Sequence, residues 1–129
     1  NGQGVVTTPS NLCAQIVAPY PPAGHIAVAS QSGNFVSSFL NYSRQTGVGI
    51  SRAVSAGNAA ALGVADLIQW YATDTASKVS LAYVEGIVDG RGLMSKLAAG
   101  IFSIQATLIT FLDLKIFRCL VRVEISMSV

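Results

Sequence analysis

Charge is what this sequence has least of. Asp, Glu, Lys and Arg make up 11% of its 129 residues, against about 25% in an ordinary soluble domain, while hydrophobic residues make up 51%. So little charge excludes a solvated, disordered tail, and it leaves apolar surface that a second copy of the chain is expected to cover. The eight Lys and Arg against six Asp and Glu give a net charge of +2. The basic residues are scattered from Arg44 to Arg122 without a run, so the stripe that a nucleic-acid footprint needs is missing. Two cysteines, Cys13 and Cys119, lie far apart without metal-ligand spacing. That pattern supports neither a zinc site nor a disulfide framework, and it fits free thiols in a reducing, cytoplasmic compartment. The most apolar window, Ile101 to Leu120, is interrupted by Gln105, Asp113, Lys115 and Arg118, which argues for core and against a membrane span. No basic and apolar leader opens the chain, and it begins at Asn1 without methionine, so a trimmed start is expected. Neither a Walker-type loop nor a dinucleotide fingerprint occurs.

What is present reads as one domain, the size expected for a chain of 129 residues. All four prolines (Pro9, Pro19, Pro21 and Pro22) fall before Gly24, and a residue type that fixes φ and lacks an N–H predicts an extended lead-in over 1–24 with no core element. Then come three strand-turn-helix units. His25 to Ala29 is a short apolar run that stops at Ser30-Gln31-Ser32-Gly33, and Asn34 to Gln45 follows with Phe35, Phe39 and Tyr42 at helical spacing and Val36 and Leu40 beside them, one broad apolar face against a sheet. Gly47 and Gly49 end that helix. Gly49 to Ser55, a turn at Gly57-Asn58 and a helix from Ala65 to Ala72 form the second unit. Lys78 to Val84, then Glu85-Gly86-Ile87, then a helix from Leu93 to Ala99 form the third. This alternation predicts an α/β domain with a doubly wound parallel sheet. From Val121 to Val129 the residues alternate apolar and polar, which predicts an additional C-terminal β segment at an edge or in an antiparallel pair.

In a doubly wound sheet, ligands bind beyond the carboxyl ends of the strands. Three loops arrive there. Ser30-Gln31-Ser32-Gly33 opens a helix, where unpartnered N–H groups and the helix dipole favour an anion such as phosphate; the alternative is that Ser30 or Ser32 only caps the helix. Gly57 and Asn58 tolerate left-handed angles and bring backbone close to a ligand, or simply make a turn. Glu85, in an apolar strand end, must face solvent in a cleft or have a partner. The single histidine, His25, precedes the first strand candidate and belongs at the other end of the sheet. The chain therefore cannot assemble a Ser-His-Asp triad, a Cys-His pair or a histidine metal site at the loop end.

The run Pro22-Ala23-Gly24-His25-Ile26-Ala27-Val28-Ala29-Ser30-Gln31-Ser32-Gly33 resembles the second, flavodoxin-like domain of the NDP-forming acyl-CoA synthetases, relatives of the succinyl-CoA synthetase α subunit. The likeness continues in order through Val54-Ser55-Ala56-Gly57-Asn58, Ala65-Asp66-Leu67-Ile68 and Tyr83-Val84-Glu85-Gly86-Ile87, and Asn1 and Gly4 fit the end of the family's G-P-N-x-x-G linker. It spans Asn1 to about Gly100. The resemblance implies a ligase that exchanges acyl-CoA and phosphate through an acyl phosphate and a phosphohistidine, passing the phosphoryl group to a nucleoside diphosphate. It implies phosphate held by Ser30, Gln31, Ser32 and Gly33, with Gly57 and Asn58 in the neighbouring loop, and Glu85 orienting the histidine. CoA, phosphate and ATP or ADP enter through the resemblance alone, and no tightly bound cofactor is expected. The family then continues with K-P-V-V-V-x-K and a histidine loop S-H-T-G, whereas Ile101 to Val129 matches neither and contains no histidine. The resemblance thus implies a fragment, residues 25–100 with a divergent tail 101–129, that lacks the phosphohistidine, the CoA-binding Rossmann domain and the ATP-grasp domain. A non-catalytic binding or assembly module that keeps the fold is the alternative. In either case a homo-oligomer is expected, because a sheet that loses its next strand after Gly100 exposes an edge that recruits a strand from its own chain or from a neighbour; the alternative is a monomer with the tail as its own last strand.

Overall fold

The computed structural model describes residues 3–16, 19–101, 106–111 and 120–123. Ten elements follow one another: β1 (Gly4–Thr7), β2 (Leu12–Gln15), β3 (Ala23–Ser30), α1 (Gly33–Thr46), β4 (Ile50–Ser55), α2 (Val64–Tyr71), β5 (Val79–Val84), α3 (Gly90–Ile101), β6 (Ala106–Phe111) and β7 (Leu120–Val123). They build one seven-stranded sheet in the order β2-β1-β4-β3-β5-β6-β7. The centre, β4-β3-β5-β6, is parallel, with the order-reversing switch between β3 and β5 that characterises a flavodoxin-like sheet. The expected doubly wound α/β architecture is what the chain forms.

A strand buried on both faces needs apolar residues on both, and Ala27, Val28 and Ala29 of β3 show it. Ala27 and Ala29 face one cluster with Val64, Ile68 and Tyr71 of α2, Ala82 and Val84 of β5 and Leu93 of α3. Val28 faces the other, with Val36 and Leu40 of α1, Ile50 and Ala53 of β4 and Val6 of β1. Each fully buried branched or aromatic side chain here contributes about 1.5–3 kcal/mol. Alanines on the α2 side leave room for Tyr71, which is wholly buried and donates its hydroxyl to Val28 O at 2.8 Å. Burial pushes the Tyr71 phenol pKa up.

Within the broad apolar face expected for α1, Val36 and Leu40, with Ser43, are the residues that point inward, and the Phe35-Phe39-Tyr42 row lies at its flank. Phe35 and Phe39 are only partly buried against the cluster, and Tyr42 is exposed. Their rings stack along the flank of the helix and reach Tyr83, whose centroid lies 4.8 Å from that of Phe35.

The lead-in expected to hold no core element corrects to a β-hairpin. β1 and β2 pair antiparallel, and β1 continues antiparallel onto β4 with Val6 in the core. Pro9 sits in the turn between them and Pro19, Pro21 and Pro22 precede β3, so no proline interrupts a strand. At the other margin β7 pairs antiparallel with β6, the edge arrangement that the alternating segment predicts. Cys119 and residues 124–129 lie outside the described residues. Cys13 is a free, exposed thiol on β2. Among the described residues no helix is long and apolar enough to cross a membrane.

One polar network crosses the bottom of the sheet. Arg52 of β4 donates to Asp74 Oδ1 at 3.1 Å and to Thr7 Oγ1, and its guanidinium lies 5.5 Å from the Trp70 ring centre. Asp74 also accepts from Ser77 Oγ at 2.6 Å and from the Ala76 N–H at 3.3 Å. Ser77 in turn bonds Ser51 at 2.8 Å.

Candidate functional site

The carboxyl ends of β3, β4 and β5 bring together three loops. After β3, the backbone turns on Ser30, whose Oγ accepts from the Ser32 N–H at 3.0 Å and donates to Ser32 O at 2.9 Å. Ser32 has extended backbone and its Oγ accepts from the Phe35 N–H at 3.3 Å, making it the N-cap of α1. Both serine hydroxyls are thus spent on ordering the loop. What the loop leaves for a ligand is the pair of first-turn amides, Gly33 and Asn34, which have no intrahelical acceptor, at the positive end of a 14-residue helix.

Gln31 is used differently from the other residues of its motif. Its Nε2 donates to Gly86 O at 3.1 Å, while its Oε1 accepts from the Glu85 and Gly86 N–H groups at 2.5 and 3.0 Å. Its own N–H donates to Tyr83 O at 3.0 Å. Gln31 therefore ties the β3 loop to the β5 loop.

That tie sets Glu85 beside α1. A cleft of about 350 Å³ is lined by Gln3, Gln31, Ser32, Gly33, Asn34 and Glu85. In it Ser32 and Gly33 meet Glu85, more than 50 residues further along the sequence, while Ser30 lies beneath the loop, fully buried. The Glu85 carboxylate is exposed and makes no ion pair among the described residues. Gln3 was not visible as a site residue, since its segment read as a connector. Its Oε1 is buried at the cleft without a hydrogen-bond partner.

The third loop joins from β4. The Ala56 N–H donates to Ser30 O at 2.7 Å, and Gly57 and Ala59 adopt positive φ, 56° and 54°, a conformation that costs nothing at Gly57 and is strained at Ala59. Asn58 opens instead into a second cavity of about 240 Å³, next to Val84, Gly86 and Leu93. Gln31 lines both cavities. At its rim, Asp66 accepts from Lys96 and from the Gly63 N–H at 2.9 Å, and these two donors hold its carboxyl below the usual carboxylate range.

His25 lies near the start of β3, exposed, with Nδ1 3.1 Å from Ala76 O. Seven residues of extended chain separate it from Ser32, roughly 20 Å. The single histidine is at the wrong end of the sheet for this cleft, as its place in the sequence predicts.

The family model described as succinyl-CoA ligase like flavodoxin domain matches residues 23–100. The chain belongs to that family. Among curated relatives, the ADP-forming acetate–CoA ligase I of Archaeoglobus fulgidus is 39% identical over 94 residues, covering 73% of this chain and 14% of that protein. The α subunit of the ADP-forming acetate–CoA ligase I of Pyrococcus furiosus is 35% identical over 91 residues, 70% of this chain and 20% of that subunit. A solved dinucleotide forming acetyl-coenzyme A synthetase 1 from Ca. Korarchaeum cryptofilum, in complex with phosphate and ADP, superposes with a TM-score of 0.77 at 28% identity, covering 84% of this chain and 24% of that one. This chain therefore spans one fifth or less of the curated relatives. Within the family domain, the first-turn amides of α1 and the β5 loop carrying Glu85 are the elements that frame the cleft.

Proposed function

We propose that this chain is the phosphate-handling ligase-CoA part of an NDP-forming acyl-CoA synthetase, incomplete without other domains. In this reading residues 25–100 are the working domain, 1–24 its lead-in and 101–129 a divergent tail. Phosphate sits at the N-terminus of α1, on the Gly33 and Asn34 amides, with Ser30, Gln31 and Ser32 shaping the loop and Gly57 and Asn58 supporting it. Glu85 faces that phosphate and orients a histidine supplied by another domain or subunit. CoA comes with a Rossmann domain and ATP or ADP with an ATP-grasp domain, all in the cytoplasm.

The observation that carries the reading is the shared cleft of Ser32, Gly33, Asn34 and Glu85. A helix N-terminus offers N–H donors and positive potential to an anion, and a carboxylate across the cleft would repel that anion unless a cation such as a protonated imidazole stood between them. Such a pairing needs a histidine, and His25 does not reach. Incubated alone with acyl-CoA, phosphate and ADP, the chain is expected to form no ATP above background; sustained turnover would overturn the proposal. The reading also takes β7, the tail strand at the sheet margin, as the edge through which copies associate. Light scattering on the intact chain tests it, with an oligomer expected and a folded monomer contradicting it.

A further inference from the structure

We propose that the α1 cleft selects an oxyanion that carries its own proton, hydrogen phosphate over sulfate, and that Gln3 is the specificity-determining residue that receives this proton's hydrogen bond together with Glu85. This rests on the phosphate reading above and adds which form of the anion the site takes.

Two kinds of hydrogen-bonding group line the cleft. The donors are the first-turn amides of Gly33 and Asn34, which suit any oxyanion. The acceptors are more demanding. The ionised Glu85 carboxylate can only accept, and it is exposed without an ion pair among the described residues. Gln3 Oε1 is a carbonyl oxygen buried at the cleft without a partner. Gln3 also borders a groove over the β1–β2 hairpin with Ser55, but Ser55 Oγ is unpartnered as well, so the Gln3 oxygen is not spent there. The Gln31 carboxamide is occupied with the Glu85-Gly86 backbone. The exposed Asn34 carboxamide can offer either end and does not discriminate.

No lysine, arginine or histidine is among the residues that line this cleft. The proton that satisfies Gln3 Oε1 and Glu85 must therefore arrive with the ligand. Near neutral pH phosphate keeps at least one P–O–H, whereas sulfate keeps none. Hydrogen phosphate accepts from the Gly33 and Asn34 amides through its bare oxygens and donates its O–H to Gln3 Oε1 or Glu85. Sulfate makes only the first set of bonds; it leaves a buried acceptor unpaired and sets its charge against a carboxylate. A site built to bond a hydroxyl rejects the analogue that lacks it, because the site's own polar groups are then stranded. A histidine delivered from another domain would bring a proton of its own to the same acceptors, so the preference belongs to this chain by itself.

The test titrates the full ¹⁵N-labelled chain near neutral pH with sodium phosphate and with sodium sulfate at matched ionic strength, reading the Gly33 and Asn34 amides and the Gln3 side-chain NH₂. Both anions should reach the amides, phosphate at least about tenfold more tightly, the size of one hydrogen bond to a charged group. Phosphate alone should shift the Gln3 side chain. Gln3→Met, which keeps the length of the side chain and removes the acceptor without changing charge, should bring phosphate affinity down toward that of sulfate. Glu85→Gln, which can donate as well as accept, should tighten sulfate. Unmoved core amides of β3 and β5 show that each variant is folded. Equal affinity of the two anions in the parent chain, or a preference that Gln3→Met leaves intact, overturns the selectivity while the phosphate reading stands; sulfate that Glu85→Gln does not tighten overturns the part given to Glu85. Failure of both anions to move the Gly33 and Asn34 amides overturns the phosphate reading, and this inference with it.

Discussion

Replacing Asp74 with alanine is expected to destabilise the domain by about 3–5 kcal/mol, the cost of leaving one partner of a buried ion pair behind. The Arg52 and Asp74 side chains are only 15% and 9% exposed. With Asp74 gone, the Arg52 guanidinium keeps the Thr7 hydroxyl and the Trp70 face, while its Nε is already without a partner. The same change strips Ser77 Oγ and the Ala76 N–H of their acceptor. Set against the roughly 5–15 kcal/mol that holds a domain together, this is a large share, and urea denaturation monitored by circular dichroism should show it as a marked fall in midpoint. Arg52→Met combined with Asp74→Ala should cost much less than the two single changes added, because the double variant buries no lone charge. A loss below about 1 kcal/mol for Asp74→Ala, or strict additivity in the double variant, would refute the reasoning that this pair ties the α2–β5 loop to β4.

Gln31→Ala should release the β5 loop: amide exchange at Glu85 and Gly86 is expected to speed up by tenfold or more, each lost hydrogen bond being worth about 0.5–1.5 kcal/mol, while core amides of β3 stay protected. Gly49→Ala should lower the melting temperature through overpacking of about 1–3 kcal/mol or more, because a Cβ there would lie 2.3 Å from Ala23 O and 2.5 Å from Gly24 Cα; an unchanged melting temperature contradicts the close crossing of β3 and β4. Burial raises the Tyr71 pKa, so the folded chain keeps a proton that the unfolded chain loses near pH 10. Stability is then full below that pH and falls as pH rises above it, and chemical denaturation at pH 8 and pH 11 should show a smaller loss in Tyr71→Phe than in the parent chain.

The three central units were legible because period and punctuation agree there: apolar runs of strand length end in Ser, Gly or Asn and pass into helical spacing. The hairpin β1–β2 was not, since four-residue strands are too short to show alternation and the prolines around them read as a connector. The apolar face of α1 was legible with Val36 and Leu40 in it, but not its centre: large aromatics dominate a helical wheel, whereas the smaller Val36, Leu40 and Ser43 are what fit beneath the helix. In the site, the helix N-terminus and Glu85 followed from local rules. The role of Gln31 did not, because its partners stand 54 and 55 residues away and a side-chain amide has no spacing signature. Arg52, the one charged residue of β4, was the visible hint of the Asp74 network.

The central claim is that the α1 N-terminus and Glu85 frame one anion site. A titration of the ¹⁵N-labelled chain with inorganic phosphate tests it most directly. The account predicts saturable shifts of the Gly33 and Asn34 amides together with Glu85, and their loss when Gly33→Pro removes one of the two donors. Shifts absent from Gly33 and Asn34 in the folded protein, or spread evenly over exposed basic residues, would contradict it.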